Sequence, residues 1–235
     1  MTLTYEGKEI GFSLTYRKRK TIGIHIDVYG HVEVRAPKGC PEAAILEVVE
    51  NKAPWILEKV GEMKERTAGH RPKVYDHGER FLYLGADYPI QVLEEPEIPK
   101  NTVEFDGRTL HVRVREHRDE EVRGALLRFY RQRCKALVEE RIREYQRHFQ
   151  VKPTKIKICD SSSYWGTCNS KRELSFHWKL AMTPLAVVDA IVVHEMAHLH
   201  HMNHDRSFWR LVGKVLPDYG ERKAWLDSSS WKMTI

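Results

Sequence analysis

The residues best suited to chemistry stand at positions 193–198, Val-His-Glu-Met-Ala-His. His194, Glu195 and His198 make a His-Glu-x-x-His pattern inside a long apolar run. On an α-helix, positions i and i+4 share one face about 6 Å apart. Two imidazoles so placed can close on one metal ion, and Glu195 beside them can act as base toward a metal-activated water without being a ligand. The pattern alone is moderately specific, because a histidine on an apolar face is more often a packed core residue. The context favours the metal. Leu185 to Val193 is apolar except for Asp189, which predicts a buried helix. Two histidines and a glutamate on a buried helix are costly unless they are paired or metal-bound. Thr183-Pro184 is expected to supply the N-cap and a first-turn proline.

A catalytic zinc takes three protein ligands and keeps one position open. His201 falls on the same helical face as His194, but it lies about 10 Å up the axis of a continuing helix. His200 points away, and both are read as solvated non-ligands. His204 comes within reach only if the chain turns after His198, which Met202-Asn203 permits, since Asn tolerates the left-handed conformation that ends helices. His204 is the favoured third ligand; Asp205, His177 and Glu221 are the alternatives. Zinc is the expected metal, and three-histidine sites also accept nickel, cobalt or manganese. Glu195 takes the proton of the attacking water and later passes it to the leaving group. An oxyanion donor is not identified by the sequence; His177, Tyr164 and Tyr219 are candidates.

The stretch from Ile158 to Leu226 resembles the YgjP-like (DUF45) family of metal-dependent hydrolases, related to SprT-like and minigluzincin metallopeptidases. The resemblance is carried by Tyr164-Trp-Gly-Thr-Cys168, Leu174-Ser-Phe-His-Trp-Lys-Leu180, Pro184, Val192-Val-His-Glu-Met-Ala-His-Leu199, Asn203-His204, Phe208-Trp209, Pro217-Asp-Tyr219 and Trp225-Leu226. Arg17-Lys-Arg-Lys20, followed by alternating Ile residues, is also similar to that family. The resemblance implies that His194, His198 and His204 bind zinc and that Glu195 is the general base. It further implies that the segment from Trp165 to Trp178, with Gly166 and His177, walls a substrate cleft. One departure is His177, where the family often has Asn.

Around these residues the chain reads as α+β: a β-rich N-terminal part, then a zincin-like catalytic part with the His-Glu-x-x-His helix. Residues 3 to 36 alternate apolar and polar positions, with a turn at Tyr29-Gly30. Pro41 to about Lys64 is an amphipathic helix that Pro54 could kink. Residues 66 to 78 are a polar connection. Strands follow near Phe81–Leu84, Tyr88–Leu93, Val103–Phe105 and Thr109–Val114, with Asp106-Gly107 as a hairpin turn. Glu120 to Phe149 is a long helix. Strands Lys155–Cys159 and Glu173–Trp178 precede the metal helix; in the metallopeptidases that the chain resembles, an edge strand beside that helix holds an extended substrate by main-chain hydrogen bonds, and the second strand is expected in that place. Gly166 would allow close backbone approach. Of Trp165, Phe176 and Trp178, two are read as core, as is Phe208-Trp209 packing beneath the site. A boundary near residue 115 gives regions 1–115 and 116–235.

Composition sets the outer bounds. The 235 residues suffice for one substantial core, or a core with an appendage. No apolar run is long enough for a transmembrane helix, and the N-terminus lacks the apolar segment of a signal peptide. A cytoplasmic protein without membrane association is expected. Cys40, Cys134, Cys159 and Cys168 form no Cys-x-x-Cys pair, so reduced thiols are the default. Net charge is +6, but residues 121 to 157 carry eleven Lys or Arg against four Glu. Such a face could hold phosphates, including through Arg128 and Arg131, or it could be a solvated helix face. Three functions follow. The leading one is a metallopeptidase acting on peptide or protein. A nucleotide phosphoanhydride hydrolase is second. The third is a structural-zinc module binding protein or nucleic acid, although no separate DNA-binding motif is present.

Overall fold

A computed structural model describes residues 1–27, 30–66, 71–161 and 164–235. Chain contacts divide it into two units, Met1–Pro72 and Lys73–Ile235.

In the first unit, period-two alternation builds β1 (Thr2–Tyr5), β2 (Lys8–Arg17), β3 (Gly23–Ile26) and β4 (Val32–Pro37), in sheet order β1-β2-β4-β3. Strands β2 and β4 run parallel; the other neighbours are antiparallel. Along β4 the side chains of Val32, Val34 and Ala36 are buried while Glu33 and Arg35 between them are not, as a pleated strand with one covered face requires. The expected helix over 41–64 is two helices, α1 (Glu42–Asn51) and α2 (Ala53–Arg66). The break falls at Lys52, which puts Pro54 in the first turn of α2, where its missing N–H leaves no helical bond unmade. Ile45, Val49, Ala53 and Ile56 pack on Ile10, Phe12, Val32 and Val34. Val28 and Tyr29, in the expected turn, lie outside the described residues, as do 67–70 of the polar connection; Gly30 has φ +81°.

The second unit holds β5 (Arg80–Tyr83), β6 (Ala86–Glu94), β7 (Thr102–Phe105) and β8 (Leu110–Val114), in order β5-β6-β8-β7, with β6 parallel to β8. The long helix α3 (Asp119–Tyr145) packs against this sheet, and the Tyr130 hydroxyl donates to the Leu82 carbonyl at 2.8 Å. The expected boundary near residue 115 falls between β8 and α3, inside this unit, whose core runs continuously from Phe81 and Val112 through Leu126 to Phe176 and Val192.

A second sheet carries β9 (Lys155–Cys159), β10 (Gly166–Cys168) and β11 (Glu173–His177), in order β10-β11-β9. The strand at Glu173 is therefore central rather than an edge, and the short β10, unread in the sequence, occupies the edge. The reversal at Asn169–Arg172 explains this. Asn169 Oδ1 accepts from the N–H groups of Lys171 and Glu173 at 3.0 and 3.1 Å, and Arg172 takes φ 61°, which folds β10 back along β11.

A 3-10 turn, Trp178–Met182, leads into α4 (Leu185–Ala197), which is followed by α5 (Arg206–Val215) and α6 (Tyr219–Ser229). Helix α4 starts one residue later than expected. Pro184 is its N-cap residue, while the Thr183 hydroxyl donates back to the Leu180 carbonyl at 2.9 Å and closes the preceding turn. The β5–β6 hairpin tip fixes this junction. Its Leu84 and Gly85 N–H groups donate to the Ala181 and Met182 carbonyls, both at 3.0 Å. Gly85 has φ +85°, and a Cβ there would stand 2.7 Å from Pro184 Cγ. No helix among the described residues is long and apolar enough to cross a membrane.

Candidate metal centre

Helix α4 carries His194 in its last turn and ends on His198 as C-cap residue. The chain then reverses through bonds from Leu199 N–H to Met196 and from His200 and His201 N–H to Ala197. Asn203 contributes no left-handed residue to this turn, contrary to expectation, because φ is not positive there. What stops the chain is the cap of α5. The Asp205 carboxylate accepts from Ser207 and Phe208 N–H, both at 2.9 Å, which starts a new helix and leaves His204 at the corner. There His204 Nε2 lies 2.9 Å from His194 Nε2 and 3.2 Å from His198 Nε2. The ligand atoms of these three side chains all fall within 4.8 Å of one another.

The rings are held from behind. His198 Nδ1 lies 2.9 Å from the His201 carbonyl oxygen. A carbonyl only accepts, so Nδ1 carries the proton and the Nε2 lone pair faces the cluster. His194 Nδ1 lies 3.0 Å from the Tyr219 hydroxyl. Phe208, fully buried, sits 4.5 to 4.9 Å from all three imidazoles. Trp209 stacks on His204 at 5.7 Å with its indole partly exposed. Burial, followed by the neighbouring His198, His204 and Lys223, pushes His194 down to about 4. Burial also lowers His198. Neutral imidazoles are the metal-binding form. Three converging nitrogen donors, two of them with the rear nitrogen engaged, fit a zinc-type ion, and further observations at Glu195 support that fit.

Glu195 is 4% exposed, and its Oε2 has no hydrogen-bond partner among the described residues. Burial raises its carboxyl to about 8. It lies against the main chain of β10: a Cβ placed on Gly166 would stand 2.6 Å from Glu195 Cγ and Oε1. Gly166 is thus the residue that makes room for the carboxylate. The Trp165 carbonyl accepts from His177 N–H and Asn169 N–H donates to the Glu173 carbonyl. Odd-numbered residues of β10 therefore bond inward to β11, which turns the N–H and C=O groups of Gly166 and Cys168 to the open edge.

The other candidates stand elsewhere. His177 is buried. Its Nδ1 accepts from Lys179 N–H at 3.1 Å, its Nε2 is 3.5 Å from Asp160, and its ring packs on Trp165 at 5.3 Å. It braces the partly buried Trp165 and is not grouped with the three histidines. Phe176 and Trp178 are core. His200 stacks on Phe149, Asp205 is committed to its cap, and Glu221 is exposed in the first turn of α6. Several arginines of α3 have partners within the chain. Arg141 bonds Asp189 at 2.5 Å, Arg133 donates to the Tyr83 hydroxyl at 2.7 Å, and Arg131 lies 3.6 Å from Asp160. These contacts weaken the case for a phosphate-binding face. The sequence offers Tyr219 only as an oxyanion candidate; its contact with His194 is missed, because no fixed spacing joins the two residues.

A family model described as YgjP-like, metallopeptidase domain, matches residues 20–229. No curated protein matches the chain.

Proposed function

The chain belongs to the YgjP-like metallopeptidase family, and on that premise we propose that it is a zinc-dependent peptidase in which His194, His198 and His204 hold the metal and Glu195 is the general base. In this reading α4 is the active-site helix of a zincin-like catalytic part. The observation that carries the reading is the convergence of three Nε2 atoms at 2.9 and 3.2 Å next to a buried carboxyl, one oxygen of which has no partner among the described residues. When bound, zinc supplies Lewis acidity that polarises the scissile carbonyl and acidifies water.

The remaining steps belong to the chain's own residues. An extended polypeptide pairs with the open edge of β10 through the main-chain groups of Gly166 and Cys168. Glu195, held in place beneath Gly166, removes a proton from the attacking water at its carboxylate and returns it to the leaving nitrogen. Four free cysteines accord with a reducing compartment, the cytoplasm.

Glu195→Gln tests the reading, assayed on zinc-loaded protein with denatured casein as substrate. Cleavage should fall about 10²- to 10⁴-fold with zinc content unchanged. Undiminished cleavage in the variant would remove Glu195 from the mechanism. Zinc retention with no cleavage by wild type would favour a structural zinc.

A further inference from the structure

The phenol of Tyr219 stands behind His194 with its ring nearly parallel to the imidazole, 18° between planes and 5.8 Å between centroids. Its hydroxyl lies 3.0 Å from Nδ1, the nitrogen on the far side of the ring from the cluster. We propose that the Tyr219 hydroxyl is the positioning group of His194, holding that ring in its ligating orientation whether or not a metal is bound. The inference rests on the metal-centre reading above and deepens it.

The two histidines of α4 are supported by different chemistry. His198 faces the His201 carbonyl, an acceptor only, so its tautomer is fixed with Nε2 bare. His194 faces a hydroxyl, which can both donate and accept. While Nε2 carries the proton, Nδ1 accepts from the phenol. When Nε2 gives its lone pair to a metal, Nδ1 bears the proton and donates to the same oxygen. One contact therefore serves both states without moving the ring. Because the hydroxyl faces Nδ1, it is turned away from the side where Nε2 meets a reacting group, which removes Tyr219 from the candidates for oxyanion donor.

The placement of the phenol is itself secured. Three residues on, Arg222 donates to Asp218 at 2.9 Å and reaches Asp189 and the Ala186 carbonyl, each at 3.3 Å. Asp189 and Ala186 belong to α4, the helix that carries His194, and Asp189 is also bonded to Arg141 of α3. Tyr219 opens α6, so this ion-pair group fixes the end of α6 against α4 close to the phenol. Trp209, 5.6 Å away, packs on its ring.

The test uses the full chain and Tyr219→Phe, which keeps the ring and removes only the hydroxyl. Zinc affinity, measured by chelator competition, should weaken about 10- to 100-fold, while the melting temperature of the metal-free protein falls only by what one lost hydrogen bond costs. In zinc-loaded wild type, histidine-selective ¹⁵N NMR should show slowly exchanging Nδ1–H protons on both His194 and His198. In Tyr219→Phe the His194 proton should exchange freely while that of His198 persists. Equal affinity, or a protected His194 Nδ1–H in the variant even if its stability has changed, would overturn the inference. A wild type that binds no zinc would fail the metal-centre reading first, and this inference with it.

Discussion

Glu195 sits where a carboxylate is hard to keep charged. Its side chain is enclosed, one oxygen has no partner among the described residues, and the wall on one side is the bare Cα of Gly166. That crowding makes Gly166 the most sensitive small residue near the site. Gly166→Ala would place a methyl 2.6 Å from Glu195 Cγ and Oε1, so either the carboxylate or β10 must shift. Overpacking of this kind costs about 1–3 kcal/mol. The variant should melt lower and cleave polypeptide more slowly, with zinc content intact, since no histidine is touched. A variant as active as wild type would show that the position of Glu195 is loosely set. The spacing of His194, Glu195 and His198 was legible in the sequence because helical geometry fixes which residues meet. The contacts of Gly166 with Glu195 and of Tyr219 with His194 were not, because each joins residues from different elements.

At the scale of elements, His204 depends on how α4 stops and α5 starts. The requirement for a turn was legible in the sequence, but its agent was not. The Asp205 cap determines the corner, and Asn203 stays in an ordinary conformation. Asp205→Ala removes two cap acceptor bonds and should destabilise the protein by about 1 kcal/mol. It should also weaken zinc binding by loosening the adjacent His204. Asp205→Asn keeps a capping oxygen and should restore most of both, as measured by thermal melting and chelator competition. If Asp205→Ala left zinc affinity at the wild-type value, the cap would be irrelevant to the site. The sheet beside α4 gives a second lesson. Three-residue β10 is too short for periodicity to reveal, so the sequence reading assigned the edge to the longer Glu173 strand, which lies in the middle.

For the molecule as a whole, the fold class and most elements of the second unit follow from alternation and helical periodicity. The division of the chain does not. The boundary expected near residue 115 marks the passage from a β-rich stretch to the long helix, yet β5–β8 share one core with α3 and α4. Within that core His177 is one of several buried histidines expected to make stability fall in acid. Burial, then the nearby Lys179, pushes it down to about 4, from an ordinary value of 6.5. The unfolded chain thus takes up the proton as pH falls through 6.5, whereas the folded chain resists until about 4, and stability declines across that window. Glu195 acts with the opposite sign between about 8 and 4.5, so the comparison must be made between variants. His177→Asn keeps an acceptor for Lys179 N–H and should lose less stability from pH 7 to pH 4.5 than wild type, as read by urea denaturation. Identical declines would remove His177 as a contributor.

The central claim is that three histidines from α4 and the α4–α5 corner hold one metal ion, and the direct measurement is metal content by mass spectrometry on purified wild type and His204→Ala. The account predicts about one zinc per wild-type chain and its loss in His204→Ala. Full zinc retention in the variant, or no metal in wild type even after reconstitution, would contradict it.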